Sequence, residues 1–273
     1  MSNLVLSQKE FTLFQHYIYD HLGINLGAQK IYLVQARLAK RVKQLGLVSF
    51  KEYYDRLCND TSGEEFAYLS SLISTNVTSF FREAKQWEFL KTYSAALAEH
   101  PAKKLRIWSA ACSSGEEPYT LAMFLDTHLA KSGAWDIKIL ATDVSPRVLK
   151  AAQTGTYTQK ACAGIDPVLL QRYFTYESQT QSFRIDERLK SMITFREYNL
   201  VTGNYALFKE GMFDIIFCRN VMIYFDKPTQ EQLVKKFHTL LTKEGYLFIG
   251  SSEALTDMKQ GFKSKGASIY QKV

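Results

Sequence analysis

Leu105-Arg106-Ile107-Trp108-Ser109-Ala110-Ala111-Cys112-Ser113-Ser114-Gly115-Glu116-Glu117-Pro118-Tyr119 is the stretch whose reading decides the fold. An apolar run passes through small residues into a helical pattern carried by Leu121, Ala122, Phe124, Leu125 and Leu129. That is strand, tight loop, helix. Small residues at the carboxyl end of a parallel strand let a ligand approach the backbone, and the helix start offers unpaired N–H groups. The loop lacks G-x-G-x-x-G, and Glu116 and Glu117 would repel a pyrophosphate at that helix start. The ligand is nucleotide-like but does not lead with phosphate.

Working outward, Ile137 to Thr142 reads as a second strand ending in Asp143, and Ser145-Pro146 as an N-cap with proline at the first helical position. Met192 to Tyr198 is a strand ending in Asn199-Leu200. Phe213 to Cys218 is a buried-type strand followed by Arg219-Asn220. Pro228 opens a helix that Gly245 ends, and Tyr246 to Gly250 is a fifth parallel strand. The tail forms an antiparallel hairpin around Lys265-Gly266 on the sheet edge. Strands alternating with helices predict an α/β, doubly wound sheet with right-handed crossovers. Residues from about 155 to 190 break the rhythm with a short helix, Pro167 to Phe174, and a hairpin around Ser182 to Ile185, and read as a small inserted β-subdomain.

Upstream the pattern is helical. Phe11, Phe14, Ile18 and Leu22 repeat at three and four residues before Gly23. Lys30 to Leu45 has an apolar stripe, with Lys30, Arg37, Lys40 and Arg41 mostly on another face, and further helices cover Phe50 to Leu57 and Glu64 to Ile73. Residues 1–74 are expected to form an all-α domain with one basic face, and residues 75–273 the sheet domain. Ser74 to Arg82 connects them to a helix carrying Trp87, Leu90 and Leu97, closed by His100-Pro101.

A chain of 273 residues, 46% hydrophobic and 14% aromatic, can bury a sizeable core. No stretch approaches a membrane span and the start carries no secretory pattern, so a cytoplasmic protein without membrane insertion is expected. Cys58, Cys112, Cys162 and Cys218 show no metal or disulfide spacing. Cys112 and Cys218 read as small buried residues rather than nucleophiles. The formal charge of +7 suits an acidic partner.

One acid at the end of the second strand is the arrangement that holds a ribose through both hydroxyls, and Asp143 stands there. With Glu117 at the first loop, the ligand becomes a nucleoside with a cationic, non-phosphate tail. S-adenosylmethionine fits, with Arg82 as a cation for its carboxylate. Each residue also has a structural reading. Asp143 could cap the turn at Ser145-Pro146, Tyr224 could be a packed aromatic, Arg82 and Arg219 could be ion-pair residues, and the basic helix could be a solvated face.

Four blocks resemble the CheR family of chemotaxis receptor methyltransferases across nearly the whole chain: Thr75 to Glu83, Trp108 to Ala111 with Gly115 to Tyr119, Asp143, and Phe217 to Phe225. The resemblance implies cofactor contacts from Asn76, Thr78, Arg82, Glu117, Asp143, Asn199, Leu200, Arg219 and Asn220, and places Arg219 and Tyr224 near the methyl group. It implies that S-adenosyl-L-methionine methylates the γ-carboxylate of specific chemoreceptor glutamates, leaving S-adenosyl-L-homocysteine, with no metal. It also assigns the basic residues Lys30, Arg37, Lys40 and Arg41 to the cytoplasmic helices of methyl-accepting chemoreceptors. Some members add a receptor C-terminal peptide as a strand to the β-subdomain, using a glycine-containing loop. Phe174 to Phe183 has no glycine, so independence from such a peptide is expected. A nucleic-acid methyltransferase is disfavoured by the absence of a basic, aromatic-interleaved tract and of an Asn-Pro-Pro-Tyr block. A non-catalytic adaptor is disfavoured by the intact Arg82, Glu117, Asp143, Asn220 and Tyr224.

Overall fold

The computed structural model describes residues 4–74, 76–99, 102–129, 132–255 and 261–273. Thr75 and the expected helix stop at His100-Pro101 lie outside them. Four helices come first: α1 (Gln8–Leu22), α2 (Ile31–Gln44), α3 (Phe50–Asn59) and α4 (Glu64–Ile73). Side chains set their ends. Ser7 and Glu10 form a reciprocal capping box at the start of α1, and Gly23 ends it at φ 68°, which glycine adopts without steric cost. A 3-10 turn, Ala28–Lys30, leads into α2.

The apolar stripes meet as the spacing requires. Phe11, Phe14 and Ile18, Val34, Leu38 and Val42, and Phe50, Tyr53 and Leu57 are buried in one core. The basic face expected of α2 is divided. Arg37 Nη1 donates to the carbonyls of Leu72 and Ile73, both at 2.8 Å, satisfying the end of α4. Arg41 forks onto Glu65 through Nε at 3.0 Å and Nη2 at 2.7 Å, and its guanidinium lies over the Tyr68 ring. Lys40 is exposed and Lys30 half-buried.

After the connector and α5 (Ala84–Ala98) comes the sheet, with strands β1 (Lys104–Ser109), β2 (Asp136–Asp143), β6 (Ile193–Glu197), β7 (Phe213–Cys218) and β8 (Leu241–Ile249). A hairpin of β9 (Phe262–Gly266) and β10 (Ile269–Lys272) completes it, in the order β6-β2-β1-β7-β8-β10-β9. The first five are mutually parallel, and β10 is antiparallel to both β8 and β9. Strand alternation divides the core. Ile107, Ile139, Ile215, Phe217 and Phe248 face α5 and α6 (Glu116–Leu129), whereas Trp108, Ile216, Cys218, Leu247 and Ile249 face α11 (Lys227–Leu240) and the first four helices. Helices thus cover both faces of the sheet. The chain runs outward from β1 through β2 to β6, then crosses to β7 and β8, so the order reverses between β1 and β7. A crevice opens at such a reversal.

Between α7 (Pro146–Thr154) and β6, strands β3 (Thr156–Thr158), β4 (Phe174–Glu177) and β5 (Ser182–Ile185) form a separate antiparallel sheet, ordered β3-β5-β4. Short helices α8 (Gln159–Cys162), α9 (Pro167–Tyr173) and α10 (Glu187–Ser191) surround it. The expected hairpin is present and gains β3 as a third strand.

Several boundaries differ from the sequence reading, two of them with a clear physical cause. Helix α11 stops at Leu240 rather than Gly245, which lies inside β8. A Cβ on Gly245 would come within 3.0 Å of the carbonyls of Asp214 and Thr242, so close backbone approach, not helix termination, requires glycine. The β9–β10 turn falls on Ala267 and Ser268, both left-handed at φ 50° and 58°, two residues beyond the expected Lys265-Gly266. Among the described residues no helix is long and apolar enough to cross a membrane.

Arg41→Glu should destabilise the protein by roughly 3 kcal/mol, because it leaves the buried Glu65 carboxylate facing a like charge. Lys40→Glu should change stability by less than about 0.5 kcal/mol. Urea unfolding of the two variants checks this, and equal midpoints would return Arg41 to the solvated surface.

Candidate active site

The crevice at the carboxyl ends of β1, β2 and β7 is a cleft of about 950 Å³, its open mouth included. Its lining contains Asn76, Thr78, Arg82, Glu117, Asp143, Asn199, Leu200, Arg219, Asn220 and Tyr224, so residues read from four separate blocks converge on one cavity. The tip of α1 contributes Leu22 and Ile24.

The floor is the loop after β1. Its sharp turn rests on Gly115 at φ 98°, where a Cβ would lie 2.8 Å from Tyr157 Oη and 2.9 Å from Ala152 Cβ. The two acids that follow diverge. Glu117 lines the cleft, whereas Glu116 is buried and accepts from Ser114 Oγ at 2.7 Å. Burial pushes both carboxyls up; for Glu117, the Arg219 guanidinium and the Ser109 hydroxyl pull the other way.

Asp143 both ties a turn and lines the cleft. Its Oδ1 accepts from Ser145 N–H and its Oδ2 from Ser113 N–H, both at 3.0 Å, so it ties the β1 and β2 loops together while facing the cleft. Each carboxylate oxygen keeps a second lone pair for a ligand hydroxyl. Burial raises its pKa from the ordinary 3.8, against those backbone N–H groups. The Ser145 hydroxyl does not cap α7; it is buried without a hydrogen-bond partner among the described residues.

Arg219 is nearly enclosed, with 3% of its side chain exposed. Nη2 donates to the Arg82 carbonyl at 2.7 Å, Nη1 lies 3.3 Å from Glu117 Oε2, and Nε lies 3.7 Å from Glu83 Oε2. The last pair is within ion-pair range but beyond hydrogen bonding, and both atoms are buried without such a partner among the described residues. Arg82 itself donates to the Val77 carbonyl at 3.1 Å. Asn199 spends its side chain on backbone groups, Oδ1 accepting from Val201 and Thr202 N–H and Nδ2 donating to the His21 carbonyl. Tyr224 is half-buried at the cleft wall, and its carbonyl accepts from Asn25 N–H at 2.8 Å.

Two acids had no role in the sequence reading. Glu83 sits at φ 65° in the connector, and its Oε1 accepts from Ser251 N–H. Glu253 follows β8 and accepts four backbone N–H groups. A position just past the end of a parallel strand was the signal available for it. Cys112 and Cys218 are buried with thiols pushed well up by burial, which suits packing rather than nucleophilic attack. Among the described residues no cluster of three or more His, Cys, Asp or Glu could hold a metal ion.

The arrangement offers acids for a cation and a ribose, with Arg82 for a carboxylate, and a wall tyrosine beside them. Comparison with known proteins gives the family. The all-alpha domain model of CheR methyltransferases matches residues 9–74, and the CheR methyltransferase SAM binding domain model matches residues 76–271. The chemotaxis protein methyltransferase of Escherichia coli K12 is 38% identical over 271 residues, covering 98% of this chain and 92% of that protein. The chemotaxis protein methyltransferase of Borreliella burgdorferi is 37% identical over 263 residues, covering 94% and 92%.

Gly115→Ala should cost about 2 kcal/mol or more, since the added methyl meets Tyr157 and Ala152 in a backbone conformation that L-residues rarely adopt. Chemical denaturation measures it, and a neutral outcome would mean that the turn can flip.

Proposed function

The chain belongs to the CheR family of chemotaxis methyltransferases, which use S-adenosylmethionine, and from that premise we propose that it esterifies the γ-carboxylate of specific glutamates on the cytoplasmic helices of bacterial chemoreceptors. The product is a glutamyl methyl ester for sensory adaptation, formed in the cytoplasm. The observation that carries the reading is the convergence of Glu117, Asp143, Arg82, Arg219 and Tyr224 on one cleft.

The cleft residues fit the cofactor. Asp143 holds the ribose hydroxyls, Glu117 faces the cationic tail, and Arg82 takes the carboxylate. Asn76, Thr78, Asn199, Leu200 and Asn220 complete the walls. When bound, the cofactor supplies an electrophilic methyl on a sulfonium. A glutamate with a reference pKa of ~4.3 is already ionised, so the chain needs no general base. Its task is positioning and removal of water from the acceptor. Tyr224 donates to one acceptor oxygen while the other attacks. Arg219 is engaged by Glu117, Glu83 and the Arg82 carbonyl, so it offers the acceptor only the hydrogens those groups leave, and its charge.

Residues 1–74 serve as the receptor-docking domain and 75–273 as the catalytic domain. Lys30 and Lys40 present charge to the acidic receptor, while Arg37 and Arg41 support the same surface from within. The β4–β5 turn contains no glycine and places Gln181 at φ 49°, which supports independence from a receptor C-terminal peptide.

Incubation with labelled S-adenosylmethionine and receptor cytoplasmic fragments should give base-labile label on glutamate, at equal rates with and without the receptor's C-terminal peptide. Tyr224→Phe should keep cofactor affinity and lose about tenfold to a hundredfold in kcat. Label on another residue type, or a rate that needs the peptide, would overturn the corresponding part.

The pH dependence has a definite sign. Glu117 and Asp143 carry pKa values raised by burial above 4.5 and 3.8, and only their ionised forms complement the cofactor. Affinity should therefore be greatest where both carboxylates are ionised and decline as pH falls through their raised values. Calorimetric titration with S-adenosylhomocysteine follows this; a constant affinity down to about pH 4 would remove both carboxylates from the binding site.

A further inference from the structure

The segment from Arg219 to Phe225 carries both residues assigned to the transfer, and the core packing of Met222 and Phe225 leaves its backbone N–H groups to be satisfied by other partners. Met222 and Phe225 are buried, whereas Ile223 between them is 49% exposed and Tyr224 is half-buried. Asn220 is left-handed at φ 57°, a conformation that turns the chain away from β7 and leaves the following N–H groups without strand partners.

Glu253 collects those groups. Its Oε2 accepts from Asn220 N–H at 2.9 Å and Gly250 N–H at 2.6 Å, and its Oε1 from Val221 N–H at 3.0 Å and Ile223 N–H at 3.3 Å. The residue is 8% exposed. At Gly250 a Cβ would lie 2.5 Å from Asn220 Nδ2 and 2.8 Å from Glu253 Oε2, so the absence of a side chain lets loop and carboxylate close on each other. Elsewhere the segment is held through carbonyls: Gln230 Nε2 donates to those of Met222 and Phe225, and Asn25 N–H to that of Tyr224. Carboxylate and carbonyl contacts together fix the path of the segment on both edges. The N–H groups of Gly250, Asn220 and Ile223 also favour the ionised carboxylate against the burial that raises its pKa.

We propose that Glu253 is a positioning residue for methyl transfer, fixing the Arg219–Phe225 segment so that Tyr224 meets the acceptor carboxylate. It touches neither cofactor nor acceptor. The inference rests on the function proposed above.

The isosteric Glu253→Gln keeps one acceptor oxygen but sets an amide NH2 against backbone N–H donors. With cofactor and receptor fragment saturating, it should lower kcat by about thirtyfold while S-adenosylhomocysteine affinity stays within about fivefold of wild type. Combined with Tyr224→Phe, it should be at most about threefold slower than Tyr224→Phe alone, because both changes remove the same aim. Rates are referred to the fraction that binds S-adenosylhomocysteine, so partial unfolding does not enter them. Wild-type kcat in Glu253→Gln, losses that multiply in the double variant, or abolished cofactor binding would each overturn the positioning role. A wild-type protein that binds cofactor and methylates no receptor fragment would overturn the functional reading, and this inference with it.

Discussion

A guanidinium taken out of water must be neutralised where it sits, and at Arg219 this requirement joins three parts of the chain. Its charge is met by Glu117 at the start of α6 and by Glu83 in the connector, and one of its N–H groups by the Arg82 carbonyl. Removing either acid would leave a buried cation undercompensated, which costs several kcal/mol. The pairing therefore sets where β7's loop, the β1 loop and the connector stand relative to one another. It also leaves two polar atoms, Glu83 Oε2 and Arg219 Nε, facing each other at a distance too long for a hydrogen bond. Cofactor and acceptor then enter a site whose own charges are already arranged.

Much of this was legible in the sequence because periodicity and strand-end position are local signals. The run Leu105 to Trp108, the small residues after it, and the strands ending at Asp143 and Cys218 gave the sheet, its reversal and the cleft. What stayed hidden depends on neighbours distant in the chain. Arg37 and Arg41 flank the apolar stripe of α2, and periodicity cannot show that α4 covers them. Gly245 looked like a helix stop because the carbonyl of Asp214, which excludes a side chain there, belongs to another strand. Glu253 offers no motif; its four N–H partners come from two strand ends brought together by the parallel pairing of β7 and β8.

Asp143 shows why a structural and a functional reading need not compete. The carboxylate that anchors Ser113 and Ser145 N–H is also the one that lines the cleft. Anchoring holds it in place before a ligand arrives, so less ordering remains to be done on binding. Glu117 is prepared similarly by Ser109 and Arg219.

The α1 tip reaches further than its place in the helical layer suggests. Asn25 N–H bonds the Tyr224 carbonyl, the His21 carbonyl accepts from Asn199, Tyr19 Oη donates to Asp226, and Gly23 stands so close to Val201 that no side chain fits between them. The helical layer and the cleft are consequently not interchangeable modules. A chimaera that grafted another relative's helices here would rewrite the wall of the cleft along with the helical surface, and the two parts are constrained to change together.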